Sequence, residues 1–304
     1  MPLKHYKIEE KGKLALGKVL YSKRFGITVD RALCKGCVLC KLVCPKEAIT
    51  LKPTPKSSEG KAQSPKVDID ETKCDFHAIC AVVCPFGAID VTVNNESGKP
   101  VVEKEAFPIL LREIQIDSER CAPDCKICEE KCPLGVISVR FEPLTPEEMK
   151  DREKRGLPST PNRTIVDVKE ELCATCRICE AECPNKLIQV TKFIEGSLEI
   201  KNDLCPEGCH DCIDVCPVNA LYLGEDNKVY VNDMFCIYCG ACLNVCPKPE
   251  AVELSRTSIG HSPIKSGAWN KALENLTSTH GLNKELRSKR TGKARDVIKN
   301  LKRA

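Results

Sequence analysis

Large side chains are scarce in this chain of 304 residues. Aromatic residues make up 4% of it, with a single Trp, and there are three Met. A core built from so few large side chains gains little free energy from the burial of apolar area. We therefore expect bound groups to replace much of the missing core, and we expect the chain not to fold without them.

Several patterns that define common classes of protein are also missing. No apolar stretch approaches the roughly 20 residues that cross a bilayer, and residues 1–18 carry charges where a signal peptide would have an apolar run. The chain contains no G-x-G-x-x-G, no G-x-x-x-x-G-K-S/T and no H-E-x-x-H sequence. We therefore expect a cytoplasmic protein with no membrane span and no site for bond-making chemistry of these kinds.

Cysteine, in contrast, is abundant. All 23 Cys fall in six runs of similar form, and the first run reads Cys34-Lys-Gly-Cys37-Val-Leu-Cys40-Lys-Leu-Val-Cys44-Pro45. The spacing C-x2-C-x2-C-x3-C-P is that of the bacterial ferredoxin loop, which holds a [4Fe-4S] cluster. Disulfides are not expected in a reducing cytosol, and zinc sites use two separated pairs of Cys in place of four thiols in one run.

Each run lies inside a longer repeat. A short segment rich in β-branched residues precedes the run, and a short apolar segment follows its Pro, as in Ile27–Asp30 and Ala48–Ile49. The unit is therefore strand, cluster loop, short helix, strand. Because two such units make one ferredoxin domain, the sequence predicts an α+β protein of three tandem bacterial-type 2[4Fe-4S] ferredoxin domains, followed by a basic, partly helical C-terminal tail.

The connecting segments set the predicted boundaries. The divisions are a basic lead-in over 1–26, ferredoxin domain one over 27–93, domain two over 94–191 with an inserted loop at 142–164, domain three over 192–255, and a basic docking tail over 256–304. The lead-in either lies along a partner or adds an edge strand. The insertion is either a solvated loop or a docking arm.

The tail is strongly basic. From Arg256 onward it has seven Lys, five Arg and three acidic residues, which gives a net charge of +9. Trp269, Leu273 and Leu276 are spaced at i, i+4 and i+7, which predicts an amphipathic helix over 268–277. Because aromatic residues are not interleaved with the charges, we expect docking to a partner protein, with a solvated tail as the alternative, and no binding of nucleic acid.

In a paired ferredoxin domain the fourth Cys of each run ligates the cluster of the other run. Neighbouring units are expected to pair, although the close spacing of units four and five leaves a nested pairing open, with units three and six around them. For neighbours, the predicted ligand sets are: cluster A, Cys34, Cys37, Cys40, Cys84; cluster B, Cys74, Cys80, Cys44 and one further ligand; cluster C, Cys121, Cys125, Cys128, Cys183; cluster D, Cys173, Cys176, Cys179, Cys132; cluster E, Cys205, Cys209, Cys212, Cys246; cluster F, Cys236, Cys239, Cys242, Cys216.

The second run departs from the pattern, because His77 stands where its second Cys is expected. Imidazole replaces thiolate on iron in Rieske centres, and a neutral ligand raises the reduction potential of the cluster. We predict that His77 is the fourth ligand of cluster B. The alternatives are a [3Fe-4S] cluster, Asp75 or water as the ligand, or no cluster at this position.

Clusters that have four Cys ligands leave no iron free to bind a substrate, so we expect a non-catalytic carrier that passes one electron at a time. The six runs over 27–252 resemble those of archaeal polyferredoxins. The stretches 107–117, 205–212 and 261–273 are similar to the polyferredoxin subunit of tungsten- or molybdenum-dependent formylmethanofuran dehydrogenase, although members of that family often carry more than six clusters.

That resemblance implies an anaerobic archaeal cytoplasm and a role in the first, CO2-reducing step of methanogenesis. Catalysis would reside on other subunits, and a heterodisulfide reductase or a ferredoxin would donate low-potential electrons. Two other interpretations stay open. The chain could serve a hydrogenase or another heterodisulfide reductase complex, or it could be an enzyme or regulator in which the cluster at His77 is an open site.

Overall fold

The computed structural model describes residues 4–158 and 160–278. In these ranges the strands are β1 Lys4–Glu10, β2 Lys13–Val19, β3 Arg24–Asp30, β4 Ile49–Lys52, β5 Lys66–Ile69, β6 Ile89–Val93, β7 Glu96–Ser97, β8 Glu113–Ile116, β9 Ile137–Pro143, β10 Asn162–Val168, β11 Ile188–Thr191, β12 Ile194–Ile200, β13 Leu221–Leu223, β14 Val229–Val231 and β15 Val252–Ile259. The α-helices are α1 Leu39–Val43, α2 Ile79–Val82, α3 Pro100–Glu103, α4 Ile127–Glu130, α5 Pro146–Lys154, α6 Ile178–Glu182, α7 Asp211–Asp214, α8 Ala241–Val245 and α9 Gly267–Thr277.

All six repeats have the predicted order of strand, loop, short helix and strand. In the first, β3 leads into the cysteine loop, α1 begins one residue before Cys40, and β4 follows Pro45. The helices in the cysteine runs have only four or five residues. Such short helices are not stable in isolation, so they depend on what the loops bind and on packing between units.

Strand pairing joins neighbouring units. The outer strands of the first two units, β3 and β6, pair antiparallel, and so do their inner strands β4 and β5. The third and fourth units are joined by the pairs β8–β11 and β9–β10, and the fifth and sixth by β12–β15 and β13–β14. Two antiparallel ladders therefore connect each pair of neighbouring units, one between their outer strands and one between their inner strands.

The N-terminal lead-in extends the first of these sheets. β1, β2 and β3 form a meander, and the sheet order is β1-β2-β3-β6-β7. Leu14 and Leu16 of β2 are buried, and Lys7 of β1 forms a 2.7 Å ion pair with Asp68 of β5. The sequence predicts that the lead-in either lies along a partner or adds an edge strand. Residues 4–26 add strands at the edge of this sheet.

The insertion at 142–164 is mostly regular structure. β9 and β10 form a long antiparallel hairpin, and α5 lies in the connection between them. Thr145 and Glu148 form a reciprocal capping box at the start of α5. Arg152 is buried and donates a 2.6 Å hydrogen bond to the carbonyl of Glu119. The insertion is therefore a β-hairpin that carries a largely exposed helix, and Arg152 connects this helix to the third unit.

The segment assigned to a docking tail also begins inside the folded body. The predicted amphipathic helix is present as α9, but Trp269 and Leu276 are each 1% exposed and belong to the main core. Trp269 packs edge-on against Phe107, with 5.4 Å between ring centroids, and Ser266 caps the helix. Residues 256–278 are therefore part of the folded body, with Trp269 and Leu276 in its core, and the rest of the predicted tail lies outside the described residues.

Truncating the tryptophan tests this packing. We expect Trp269→Ala to destabilise the protein by about 3–5 kcal/mol, because it empties a buried site against Phe107. Anaerobic chemical denaturation followed by circular dichroism measures the loss. Tyr21, which is 92% exposed, provides the control, since Tyr21→Ala should leave the unfolding free energy unchanged. Equal stability of the two variants would mean that α9 contributes nothing to the fold.

Candidate iron–sulfur centres

All 23 cysteines lie in the described ranges, and none of them forms a disulfide there. The loops bring them together in sets that combine two units. Burial raises the pKa of Cys121 to about 11, and the thiols that raise it further are Cys125, Cys128 and then Cys183. Cys183 is the fourth Cys of the next unit, so the structure brings the fourth thiol across to the first three of its neighbour.

The same crossing recurs through the chain. In four further sets, burial raises the pKa of one thiol to about 12. The other thiols that raise this pKa include one from the partner unit. The sets seen in this way are Cys80 with Cys74 and Cys44, Cys179 with Cys176, Cys173 and Cys132, Cys212 with Cys246, Cys205 and Cys209, Cys239 with Cys216 and Cys236, and Cys84 with Cys34.

Three cavities of similar size coincide with three of these sets. They are small pockets that match sets B, F and D, respectively. The cysteine and histidine residues that line them are, in the same order, Cys44, Cys74, His77 and Cys80; Cys216, Cys236, Cys239 and Cys242; and Cys132, Cys173, Cys176 and Cys179. Each cavity is thus enclosed by three residues of one loop and one Cys of its partner, as the crossed ligand sets B, F and D require.

The backbone around the fourth Cys also fits a bound cluster. In five units the residue four positions later directs its N–H to the fourth thiol, at 3.2–3.5 Å; the donors are Ala48, Ala88, Val136, Leu187 and Ala220. The residue before each donor has a positive φ, which turns the backbone toward the sulfur. Such turns of N–H groups form the concavities found at Fe–S sites, and these hydrogen bonds help set cluster potentials.

When bound, a [4Fe-4S] cluster takes up and returns one electron at a time. The chain's own contribution is to supply thiolates, to surround them with N–H donors and to exclude water. The thiols are not equally buried. Those of Cys37, Cys40, Cys80, Cys84, Cys173, Cys176, Cys179, Cys236, Cys239 and Cys242 are buried, whereas Cys121, Cys125, Cys128, Cys205, Cys209 and Cys212 are partly exposed.

His77 lines the cavity of set B. Its Nε2 atom is buried, and among the described residues it has no hydrogen-bond partner. The N–H of Ile79 lies 3.4 Å from its Nδ1 atom, a contact too long to fix the ring proton on Nε2. Burial lowers the pKa of the imidazole, against the opposing effect of Asp75, and Asp75 is itself paired with Lys46 at 3.4 Å. The ring is therefore neutral at pH 7, as a metal-binding imidazole must be.

Arg112 joins two pairs of units, a role that the sequence did not reveal. Its guanidinium donates to the carbonyls of Cys84 and Cys173 at 2.8 and 2.9 Å and lies 4.9 Å from the centre of the Phe193 ring. Further bonds reach the carbonyls of Pro85 and Glu171. Arg112 thus connects the loops of sets A and D. In the sequence, the segment 107–117 around Arg112 is distinguished only by its family resemblance.

The first and sixth units also meet, although they are far apart in sequence. The N–H of Val38 points to the carbonyl of Cys239 at 3.4 Å, and the side chain of Asn244 donates to the carbonyl of Gly36 at 2.8 Å. Burial raises the pKa of Cys37 well above its usual value, and Cys239 is the nearest thiol that adds to this effect. Sets A and F are therefore neighbours.

Comparison with known proteins agrees with this geometry. The family described as "4Fe-4S dicluster domain" matches residues 33–88 and 204–249. One chain of the formate dehydrogenase – heterodisulfide reductase – formylmethanofuran dehydrogenase complex from Methanospirillum hungatei superposes with a TM-score of 0.78 and is 32% identical, over 90% of this chain and 92% of that chain.

Two curated relatives match shorter parts. The polyferredoxin-like subunit of aliphatic sulfonate oxidoreductase from Pyrococcus furiosus is 31% identical over 98 residues, which are 28% of this chain and 55% of that protein. Polyferredoxin protein MvhB of Methanothermobacter marburgensis is 29% identical over 110 residues, 33% of this chain and 25% of MvhB. The chain thus spans about half or less of the length of these relatives.

The crossed thiol sets and the matched segments define an iron–sulfur protein of the dicluster ferredoxin class. More specifically, the chain is similar to polyferredoxin-like iron–sulfur subunits such as the two relatives above. Within the ranges that the structure describes, no helix is long and apolar enough to cross a membrane.

Removal of iron tests whether the fold depends on these centres. We expect an anaerobic chelator to abolish most of the native circular dichroism signal, because the short helices and the loops lose the groups around which they pack. Restoring iron, sulfide and a thiol reductant should recover the signal. An iron-free chain that keeps native circular dichroism and slow amide exchange would contradict this expectation.

Proposed function

We propose that the chain carries six [4Fe-4S] clusters in three ferredoxin domains, held by the ligand sets A to F. The paired strands of neighbouring units support the division into three domains. The crossed thiols and the three matched cavities support the ligand sets, since each combines three residues of one loop with one Cys of the neighbouring unit. The same features favour neighbour pairing over nested pairing.

The clusters would not be used in the order of the chain. Cys37 and Cys239 bring set A next to set F, and Cys40 and Cys80 bring A next to B within one domain. Cys212 and Cys242 connect E to F, and Arg112 connects A to D. We propose that electrons enter and leave at C and E, because the thiols of these two sets are the more exposed ones.

The function that these features support best is non-catalytic electron transfer within formylmethanofuran dehydrogenase. The chain would deliver low-potential electrons to the tungsten or molybdenum subunit for CO2 reduction in an anaerobic archaeal cytoplasm, and a heterodisulfide reductase or a ferredoxin would supply them. The observation that carries this proposal is the structural match along 92% of a chain from a complex that includes formylmethanofuran dehydrogenase.

A second candidate is the same electron-transfer role in a hydrogenase or another heterodisulfide reductase complex. The complex that holds the matching chain also includes heterodisulfide reductase, which favours this candidate. Both candidates use the same clusters and differ only in partners. The partners therefore have to be identified by experiment.

Anaerobic native purification from the source cells, with mass spectrometry and metal analysis, separates the two candidates. We expect subunits of formylmethanofuran dehydrogenase to co-elute with the chain, together with tungsten or molybdenum in near-stoichiometric amount. An unrelated soluble ferredoxin followed through the same fractions serves as the control. Co-elution with nickel and hydrogenase subunits would favour the second candidate, and elution of the chain alone would contradict both.

We also propose that His77 completes the ligand set of cluster B. Its buried Nε2 has no protein partner among the described residues and faces the same cavity as Cys44, Cys74 and Cys80. A neutral ligand would give this cluster a higher potential than its neighbours, because the incoming electron meets less negative charge. The alternatives from the sequence, such as ligation by Asp75, fit less well because Asp75 is occupied by Lys46.

Iron analysis and redox titration test this ligand. Six complete clusters need about 24 iron atoms per chain, a [3Fe-4S] cluster at site B about 23, and an empty site about 20. We expect His77→Cys to keep about 24 and to lower the potential of one cluster, and His77→Ala to lose between one and four iron atoms. His210→Ala, in an exposed part of another loop, should change neither quantity.

The proposal for His77 fails if the Ala variant retains its full iron content and all its potentials. It also fails if the unsubstituted chain contains only about 20 iron atoms, because site B would then hold no cluster.

A further inference from the structure

Arg256, in β15, is a buried cation that has no part in the electron route proposed above. It is 1% exposed, although it lies beyond the last cysteine run. Its Nε donates to the carbonyl of Tyr238 at 2.7 Å, Nη2 to that of Cys239 at 3.2 Å and Nη1 to that of Leu276 at 3.3 Å. The guanidinium is therefore held by three carbonyls at the contact between the first and sixth units.

No carboxylate is among the hydrogen-bond partners of Arg256 in the described part of the chain. An arginine does not lose its proton inside a protein, and an unpaired buried charge costs several kcal/mol. Burial lowers the pKa of the guanidinium, and the thiols of Cys239, Cys37, Cys242 and Cys236 act against this effect. The balancing negative charge must come from these thiolates and what they bind.

The local backbone is shaped around this side chain. A Cβ atom on Gly240 would lie 3.2 Å from Nη2 of Arg256 and 3.0 Å from Val38, and Gly240 has a φ of +83°. On the opposite strand, Gly196 pairs with Arg256 at a bulge in β12, where a Cβ would collide with the carbonyl of Ser255. Gly240 thus leaves room for the guanidinium, and Gly196 lets the backbone of β12 approach that of β15 at Arg256.

We propose that Arg256 is the internal counter-cation of clusters A and F and that it favours their reduced states. The inference rests on the clusters of the proposed function. A cluster held by thiolates becomes more negative by one charge when it is reduced, and a fixed positive charge nearby in a medium of low dielectric stabilises that extra charge. Clusters A and F are then easier to reduce than they would be without this charge, between the more exposed clusters at the ends of the route.

A purely structural role is the competing explanation, because Nη1 also binds the carbonyl of Leu276 near the end of α9. Charge and shape are separated by two substitutions. Arg256→Met removes the charge at similar length, and Arg256→Lys keeps the charge but cannot make all three hydrogen bonds in the same geometry. The full, iron-loaded chain is titrated with dithionite and mediators, and the clusters are followed by electron paramagnetic resonance.

We expect Arg256→Met to weaken the reduction of two of the six clusters by tenfold or more, which is about 59 mV or more for one electron. Arg256→Lys should shift them much less. The difference should be the same at low and high salt, because a buried charge is screened little. Arg163→Met is the control, since Arg163 is an exposed arginine paired with Glu142 at 2.7 Å, and it should shift no potential.

The proposal is overturned if Arg256→Met contains full iron and keeps the original potentials, or if Arg256→Lys shifts them as far as Arg256→Met does. Should the Met variant fail to take up iron, Arg256→Gln, which removes the charge and keeps hydrogen-bond donors, takes its place: a tenfold or larger weakening of reduction supports the proposal, and unchanged potentials overturn it. A low iron content in the unsubstituted chain would instead contradict the six-cluster proposal, so the two failures are distinguishable.

Discussion

The crossing of one thiol from each unit to its neighbour is the constraint on which the rest of the structure depends. Three thiols of a loop and one thiol of the partner face each other, so neither unit can complete its own site. The paired strands, the short helices and the turn after each Pro all position these thiols. This explains how a chain with 4% aromatic residues forms three buried clusters of apolar residues: the side chains enclose sites in place of filling a large core.

Local signals in the sequence predict most of this arrangement. Cysteine spacing and alternating β-branched residues locate every strand and helix of the six repeats, because each unit is specified by residues close together in sequence. The helix at 267–277 is likewise predicted from the spacing of Trp269, Leu273 and Leu276. This spacing does not reveal the surface against which the helix packs. The basic charge of the segment favours docking to a partner protein, whereas the helix packs on this chain.

Contacts between distant units escape such reasoning for a physical reason. Arg112 and Arg256 are long, charged residues of a type that is ordinarily exposed, and they bind main-chain carbonyls, which every residue possesses. No pattern of residue types therefore marks their positions in advance. His77 is the opposite case. It is conspicuous because it breaks a strict repeat, and the cavity that it lines is the one expected for its unit.

The contact between the first and sixth units has a consequence for how the protein is made. Gly36 and Asn244 are 208 residues apart, so a ribosome releases the first cysteine loop long before its neighbour exists. Domains fold as units in the order of synthesis, and the first pair of units can complete its own sites early. The link from A to F, however, forms only after β15 has emerged. A partially synthesised chain would therefore contain the thiols of sets A and B before their contact with set F exists.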